Sequence, residues 1–112
     1  MKYHHGNLKE ELITSACKIC ETDGHENMSL RSIAKEANVS QTAPYRHFKT
    51  KESLLAEVSK LGFDELTDRL NQSVAVNKKL SSTDKFLEMA LAYIEFGCEK
   101  RMIYDLMHSP SI

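Results

Sequence analysis

An all-α fold is predicted by three features of this sequence. Apolar residues recur at the three- and four-residue spacing of helices, good helix-capping residues precede the apolar runs, and no stretch shows the strict alternation of a strand. At 112 residues the chain has room for one compact domain, or for a small domain plus part of another. Apolar residues make up 41% and charged residues 28%, the balance of an ordinary globular protein, and with no tryptophan the core must be mainly aliphatic. No apolar run approaches the roughly 20 residues that span a bilayer. The start, MKYHHGNLKEEL, lacks the apolar stretch of a signal peptide, so a cytoplasmic location is expected. Cys17, Cys20 and Cys98 are an odd number, which argues for reduced, largely buried thiols rather than a disulfide framework.

The elements follow in order. Asn7, with Glu10 three residues on, predicts a capped first helix carrying Leu8, Leu12, Ile13, Ala16, Ile19 and Cys20 and stopped by Gly24. Ser29 caps a second, short helix with Leu30, Ile33, Ala34 and Ala37, after which Asn38 suits a turn with positive φ. A third short helix runs roughly from Gln41 to Phe48, capped by Ser40 or Thr42. Thr50 caps a fourth, with Ser53 at its third position, and Leu54, Leu55, Val58, Leu61, Leu66 and Leu70 form its stripe to about Val74. Asn77 to Thr83 reads as a connection, and Ser82 or Thr83 caps a fifth helix. That fifth helix is apolar nearly all round, from Phe86 to Cys98, so burial on several sides is expected. Met102, Ile103, Leu106 and Met107 start one more short helix, broken at Ser109-Pro110.

Helices two and three, joined by Asn38-Val39-Ser40, have the form helix, short turn, helix. Ala34 must be small because the two helices cross closely, and Val39 plugs the gap between them. Pro44 is the apparent misfit. If Thr42 is the cap, Pro44 falls in the first turn, where N–H groups have no intrahelical partner anyway. The proline therefore marks a stiffened tip, and such a tip is what a helix-turn-helix presents to the major groove. Charge agrees locally. The net charge is −1, but from Arg31 to Lys51 the five cations Arg31, Lys35, Arg46, Lys49 and Lys51 meet Glu36 alone, whereas acidic residues outnumber basic ones after Leu61.

The stretch MSLRSIAKEANVSQTAPYRHFKTKESLL resembles the DNA-binding head of the TetR family of bacterial transcriptional repressors. The match is to its helix-turn-helix, then Tyr-x-His-Phe, a polar link and Lys-Glu-x-Leu-Leu. YHHGNLKEEL and YIEFGCEKRMIYDLMHSP resemble one branch of that family. The resemblance implies a three-helix head over residues 1–52 and the first part of a helical regulatory, ligand-binding and dimerisation domain over 53–112. It further implies a homodimer on a palindromic operator, released by a small-molecule effector. Asn38 replaces the commoner turn glycine. The chain stops before the helices that usually form the dimer interface, so dimerisation requires those helices to be supplied.

Gln41, Thr42 and Ala43 match the family's base-reading positions. Gln can pair bidentately with adenine, and Thr and Ala methyls can touch a thymine methyl. Tyr45 and His47 match phosphate-contacting positions. Phe48 reads as core, and Arg46 is either a phosphate clamp or a solvated cation. Thr50 and Lys51 start the fourth helix, whose N-terminus suits an anion. Ser29 suits a phosphate, and Arg31 a phosphate or a guanine edge; Lys2 and His4-His5 could reach a flanking phosphate. Met89, Tyr93, Phe96, Met102 and Met107 are candidates for an effector pocket, with plain core as the commoner use of such a stripe. Cys17-x-x-Cys20 lacks the other ligands a zinc site needs, and no grouping of catalytic residues or phosphate loop is present, so neither metal, cofactor nor enzyme activity is expected. Two readings follow: a DNA-binding regulator, or a helical interaction module that pairs with another regulator through its apolar fifth helix.

Overall fold

In a computed structural model the protein is described over residues 7–75 and 79–112; Lys2, His4, His5, Asn77 and Lys78 lie outside the described residues. Every regular element among the described residues is helical: α1 (Leu8–Asp23), α2 (Leu30–Ala37), a 3-10 helix η1 (Ala43–Arg46), α3 (Lys51–Ala75), α4 (Ser82–Glu99) and α5 (Arg101–Met107).

The local signals are mostly realised. Ser29 Oγ accepts from the Ser32 N–H and Ser32 Oγ from the Ser29 N–H, both at 3.0 Å, a closed capping box at the start of α2. Thr50 and Ser53 make the same reciprocal pair, at 3.1 and 3.4 Å, before α3. Gly24 ends α1 at φ 79°, and Asn38 ends α2 in the left-handed region at φ 62°, ψ 44°. At Asn7 the helix begins where expected, but no side-chain cap bond forms. The cap of α4 is Ser81, one residue earlier than expected, with its hydroxyl accepting from the Asp84 N–H.

One core joins the helices. Leu12, Ala16 and Cys20 of α1, Ile33 of α2, Leu54, Leu55 and Val58 of α3, Phe96 of α4 and Leu106 of α5 are all essentially inaccessible and belong to one cluster. Each fully buried large aliphatic contributes about 1.5–3 kcal/mol of transfer free energy. α3 packs against α1, α4 and α5, and α1 packs against α5 as well as α2. The expected division between residues 52 and 53 thus falls in the first turn of α3, whose 25 residues extend about 37 Å.

Three expectations change. The third helix is not an α-helix over Gln41–Phe48 but the four-residue 3-10 turn η1. Pro44 has no N–H to give, and its neighbours bond three residues back: Ala43 to Ser40, Tyr45 to Thr42 and His47 to Pro44, at 3.0–3.1 Å. Second, Leu61 is half exposed rather than part of the buried stripe of α3. Third, α4 is not buried on several sides. Phe86 is 69% exposed, Leu91 56% and Ile94 59%, and Phe96 is its one buried residue, because among the described elements α4 packs mainly against α3 and α5. Cys98, on the same helix, is likewise exposed, whereas Cys20 is buried and Cys17 partly so.

Candidate nucleic-acid interface

The turn after α2 is built from backbone bonds. Asn38 N–H donates to Lys35 O at 3.1 Å and Val39 N–H to Ala34 O at 3.0 Å, so the chain reverses tightly at the one non-glycine residue with positive φ among those described. Ala34 is fully buried, and Val39 packs on the core from the turn. η1 then sits with its back to the protein: Ala43, Pro44 and Phe48 are buried. Its front carries Gln41, Thr42, Tyr45, Arg46 and His47, all exposed, with Tyr45 at 56%. Proline here seals the rear of the tip while its ring fixes the backbone that displays the front.

Most of the expected contact residues are exposed. Ser29 and Arg31 are exposed at the start of α2, and Thr50 at the cap of α3. Lys51 is half-buried, and its ammonium donates to the Glu26 carbonyl at 3.2 Å, which ties the start of α3 to the loop before α2. Ser29 spends its hydroxyl on the capping box as acceptor but keeps the O–H as a donor. Ala43, expected among the base contacts, is only 5% exposed and belongs to the core beneath the tip. Lys9 of α1 lies 6.0 Å from the centre of the Phe48 ring, a cation over an aromatic face.

The candidate effector residues lie in different surroundings. Phe96 and Met107 are core, Met89 is exposed on α4, and Met102 lines a groove against Glu21 and Lys100 on the α1 side. Tyr93 instead meets Tyr104 edge-on, with ring centres 6.0 Å apart and hydroxyls 3.4 Å apart; Tyr104 stacks on His108 at 4.2 Å. The Tyr104 hydroxyl, then burial, raises the Tyr93 pKa. Met89, Tyr93 and Phe96 share one side of α4 by their four- and three-residue spacing, whereas residues 102 and 107 occupy different sides of α5.

Two features were missed from the sequence. An ion network ties the head to the later helices: Lys100 to Glu21 at 3.1 Å and Glu65 at 3.8 Å, Arg69 to Glu65 at 2.9 Å and Glu99 at 3.0 Å. Only the Glu65–Arg69 spacing, four residues along one helix, was there to be read. The other is a bond from Arg31 Nη2 to Gln41 Oε1 at 3.2 Å, across the turn. Among the described residues no group of three metal-ligating side chains occurs, and no helix is long and apolar enough to cross a membrane.

A capped α2, a tight turn, a proline-stiffened tip and a capped α3 define a helix-turn-helix head. Residues 12–58 match the family described as "Bacterial regulatory proteins, tetR family", and the chain belongs to that family. It is 27% identical over 100 residues to the uncharacterized HTH-type transcriptional regulator YobS of Bacillus subtilis (strain 168), covering 89% of this chain and 51% of that protein. It is 30% identical over 98 residues to the biofilm operon icaADBC HTH-type negative transcriptional regulator IcaR of Staphylococcus aureus (strain Newman), covering 86% and 50%. A solved structure of a protein with unknown function from Rhodococcus sp. RHA1 superposes with a TM-score of 0.76 at 35% identity, over 98% of this chain and 58% of the other. The chain spans about half the length of the curated relatives it matches.

Proposed function

We propose that the protein is a sequence-specific DNA-binding transcriptional regulator, a cytoplasmic repressor without enzymatic activity, whose head over residues 1–52 reads operator DNA. The observation that carries this reading is the η1 tip. Its rear is locked into the core by Ala43, Pro44 and Phe48 while Gln41, Thr42, Tyr45, Arg46 and His47 stand exposed together. Gln41 and Thr42 face base edges; Tyr45, His47, Ser29 and Thr50 donate to phosphates, and Arg46 and Lys51 add charge. The negative role follows the relative named a negative regulator.

A helix-turn-helix reader works in pairs, each head in a major groove one helical turn from the other. The active form is accordingly a homodimer on a palindromic site, and residues 53–112 are the start of the part that sets head spacing. A small-molecule effector would release the operator by binding better to a state whose spacing no longer fits. The exposed apolar side of α4 favours the second reading, a module that pairs with another regulator without reading DNA.

Retention on duplex DNA separates the two. A DNA reader binds duplex at low salt, loses affinity linearly in log salt, and is weakened by a Gln41→Ala, Thr42→Ala, Tyr45→Ala triple change. A chain that ignores duplex at low salt is the pairing module instead.

A further inference from the structure

DNA reading leaves one concave surface of the molecule without a use. α1 packs against α3, and between them lies a groove of about 380 Å³ whose walls include Glu10 and Ile13 of α1 and Glu57, Lys60, Leu61 and Asp64 of α3. Intervals of three and four residues place each set on one face of its helix. The α3 wall, from residue 57 to 64, is about 10 Å long at 1.5 Å per residue. Leu61 has the helical spacing of a core residue, yet it lines this groove and is 49% exposed. Ile13, half-buried on the other wall, packs against the core. An apolar side chain in a concavity gains by burial, and the protein leaves that gain unused. The volume suits a small molecule and is too narrow for a helix.

Charge chooses the class of occupant. Glu10, Glu57 and Asp64 face the single ammonium of Lys60, and among the described residues none of the three carboxylates has a side-chain hydrogen bond or ion pair. They do not converge on a point, since no group of three metal-ligating side chains occurs among the described residues, so a bare metal ion does not fit. An ionised carboxylate only accepts hydrogen bonds. An apolar body laid over Leu61 and Ile13 displaces water from the rim, and a carboxylate that loses water needs a donor and positive charge in its place. Glu57 is the half-buried one of the three and depends on this most. We propose that the α1–α3 groove binds a small organic cation, a primary ammonium carried on an apolar body of about the groove's length. The ammonium donates to Glu57, the body covers Leu61 and Ile13, and Lys60 keeps its own charge in water at the rim. The site involves no contact with DNA and stands or falls apart from the DNA-reading role.

Titration of the full chain with naphthylmethylammonium, followed by amide NMR shifts, tests this. Naphthylmethanol and naphthoate serve as the neutral and anionic counterparts. The cation should shift the Ile13 and Leu61 amides and bind about tenfold tighter than the alcohol, through one charge-assisted bond, with the carboxylate weakest. Glu57→Gln keeps the shape and removes the charge. It should bring the cation down to the affinity of the alcohol and leave the alcohol unchanged. Leu61→Ser should weaken both, because it removes the contact they share. Circular dichroism checks that each variant keeps its helices. α4 is also open and apolar, so the titration is repeated on a Leu91→Lys, Ile94→Lys variant, where the groove amides should respond as before. Equal affinity of the wild type for cation and alcohol overturns the site. So does a Glu57→Gln variant that keeps the advantage of the cation, a response confined to α4, or no shift at millimolar cation.

Discussion

At Tyr45 and Arg46, neighbours on one 3-10 turn, the same surface offers two kinds of contact with different signatures. A phenol donates one hydrogen bond without neutralising a phosphate, whereas a guanidinium releases counterions. Tyr45→Phe is expected to lower duplex affinity about tenfold, through a lost bond to a charged acceptor, with the salt dependence unchanged. Arg46→Ala should reduce the slope of log affinity against log salt by about 0.9 if it clamps a phosphate. Anisotropy titrations over a salt series measure both, and an unchanged slope for Arg46→Ala assigns that cation to solvent. Buried groups make a separate prediction. Burial, then the nearby Cys17 and Glu21, pushes the Cys20 thiol from its ordinary 9.0 up to about 11. Lys100 is also raised, mainly by its hydrogen bond to Glu21. In both cases the folded state holds its proton longer than the unfolded state. Their contribution to stability is therefore level below about pH 9 and declines as pH rises from there toward 11, as urea midpoints across that range will show. At pH 8 a thiol reagent should modify the exposed Cys98 at once and Cys20 only after unfolding.

Elements in this fold are set by short-range chemistry where the signal is local and by packing where it is not. The Ser29 cap, the Thr50–Ser53 pair and the positive φ of Asn38 could be read directly, because a cap or a turn depends on a few adjacent residues; the Ser32 half of the first box was missed. The tip was legible as a proline-led element but not as a 3-10 turn. That choice depends on Ala43 and Pro44 being pulled into the core, which sequence spacing does not reveal. The same burial removed Ala43 from the expected contacts, and its identity as a small apolar residue fits either role. The α3–α5 crossing was illegible, yet it makes a sharp test. A Cβ on Gly62 would lie 2.7 Å from Met107 Sδ and 2.9 Å from Ile103 Cγ2. Gly62→Ala is expected to destabilise by about 1–3 kcal/mol through overpacking, and Gly62→Ala with Met107→Ala should recover part of it. A urea midpoint for Gly62→Ala at or above that of the wild type would mean that α5 is not held this closely to α3.

Across the whole molecule, one core continues from α1 to α5 while one helix stays open. The apolar residues of α4 were visible in the sequence, but their fate was not. Apolar character says that a side chain gains by burial, and only the arrangement of neighbours says whether burial is available. Phe86, Leu87, Leu91 and Ile94 are each more than half exposed, a patch beyond what scattered surface residues explain. An environment-sensitive apolar dye should therefore brighten on the native chain, and a Leu91→Lys, Ile94→Lys variant should abolish most of that signal while keeping its helical spectrum. The ion network Glu21–Lys100–Glu65–Arg69–Glu99 links α1, α3 and the α4–α5 junction, helices that also share the core.

The central claim is that this tip reads DNA, and fluorescence anisotropy of the chain tests it most directly. The titration uses duplex from its own upstream region against a scrambled duplex of equal length and composition, repeated over a salt series. The account predicts tighter binding to the upstream duplex and affinity that falls steeply with salt on both. Equal affinity for the two duplexes, or no binding even at low salt, would contradict it.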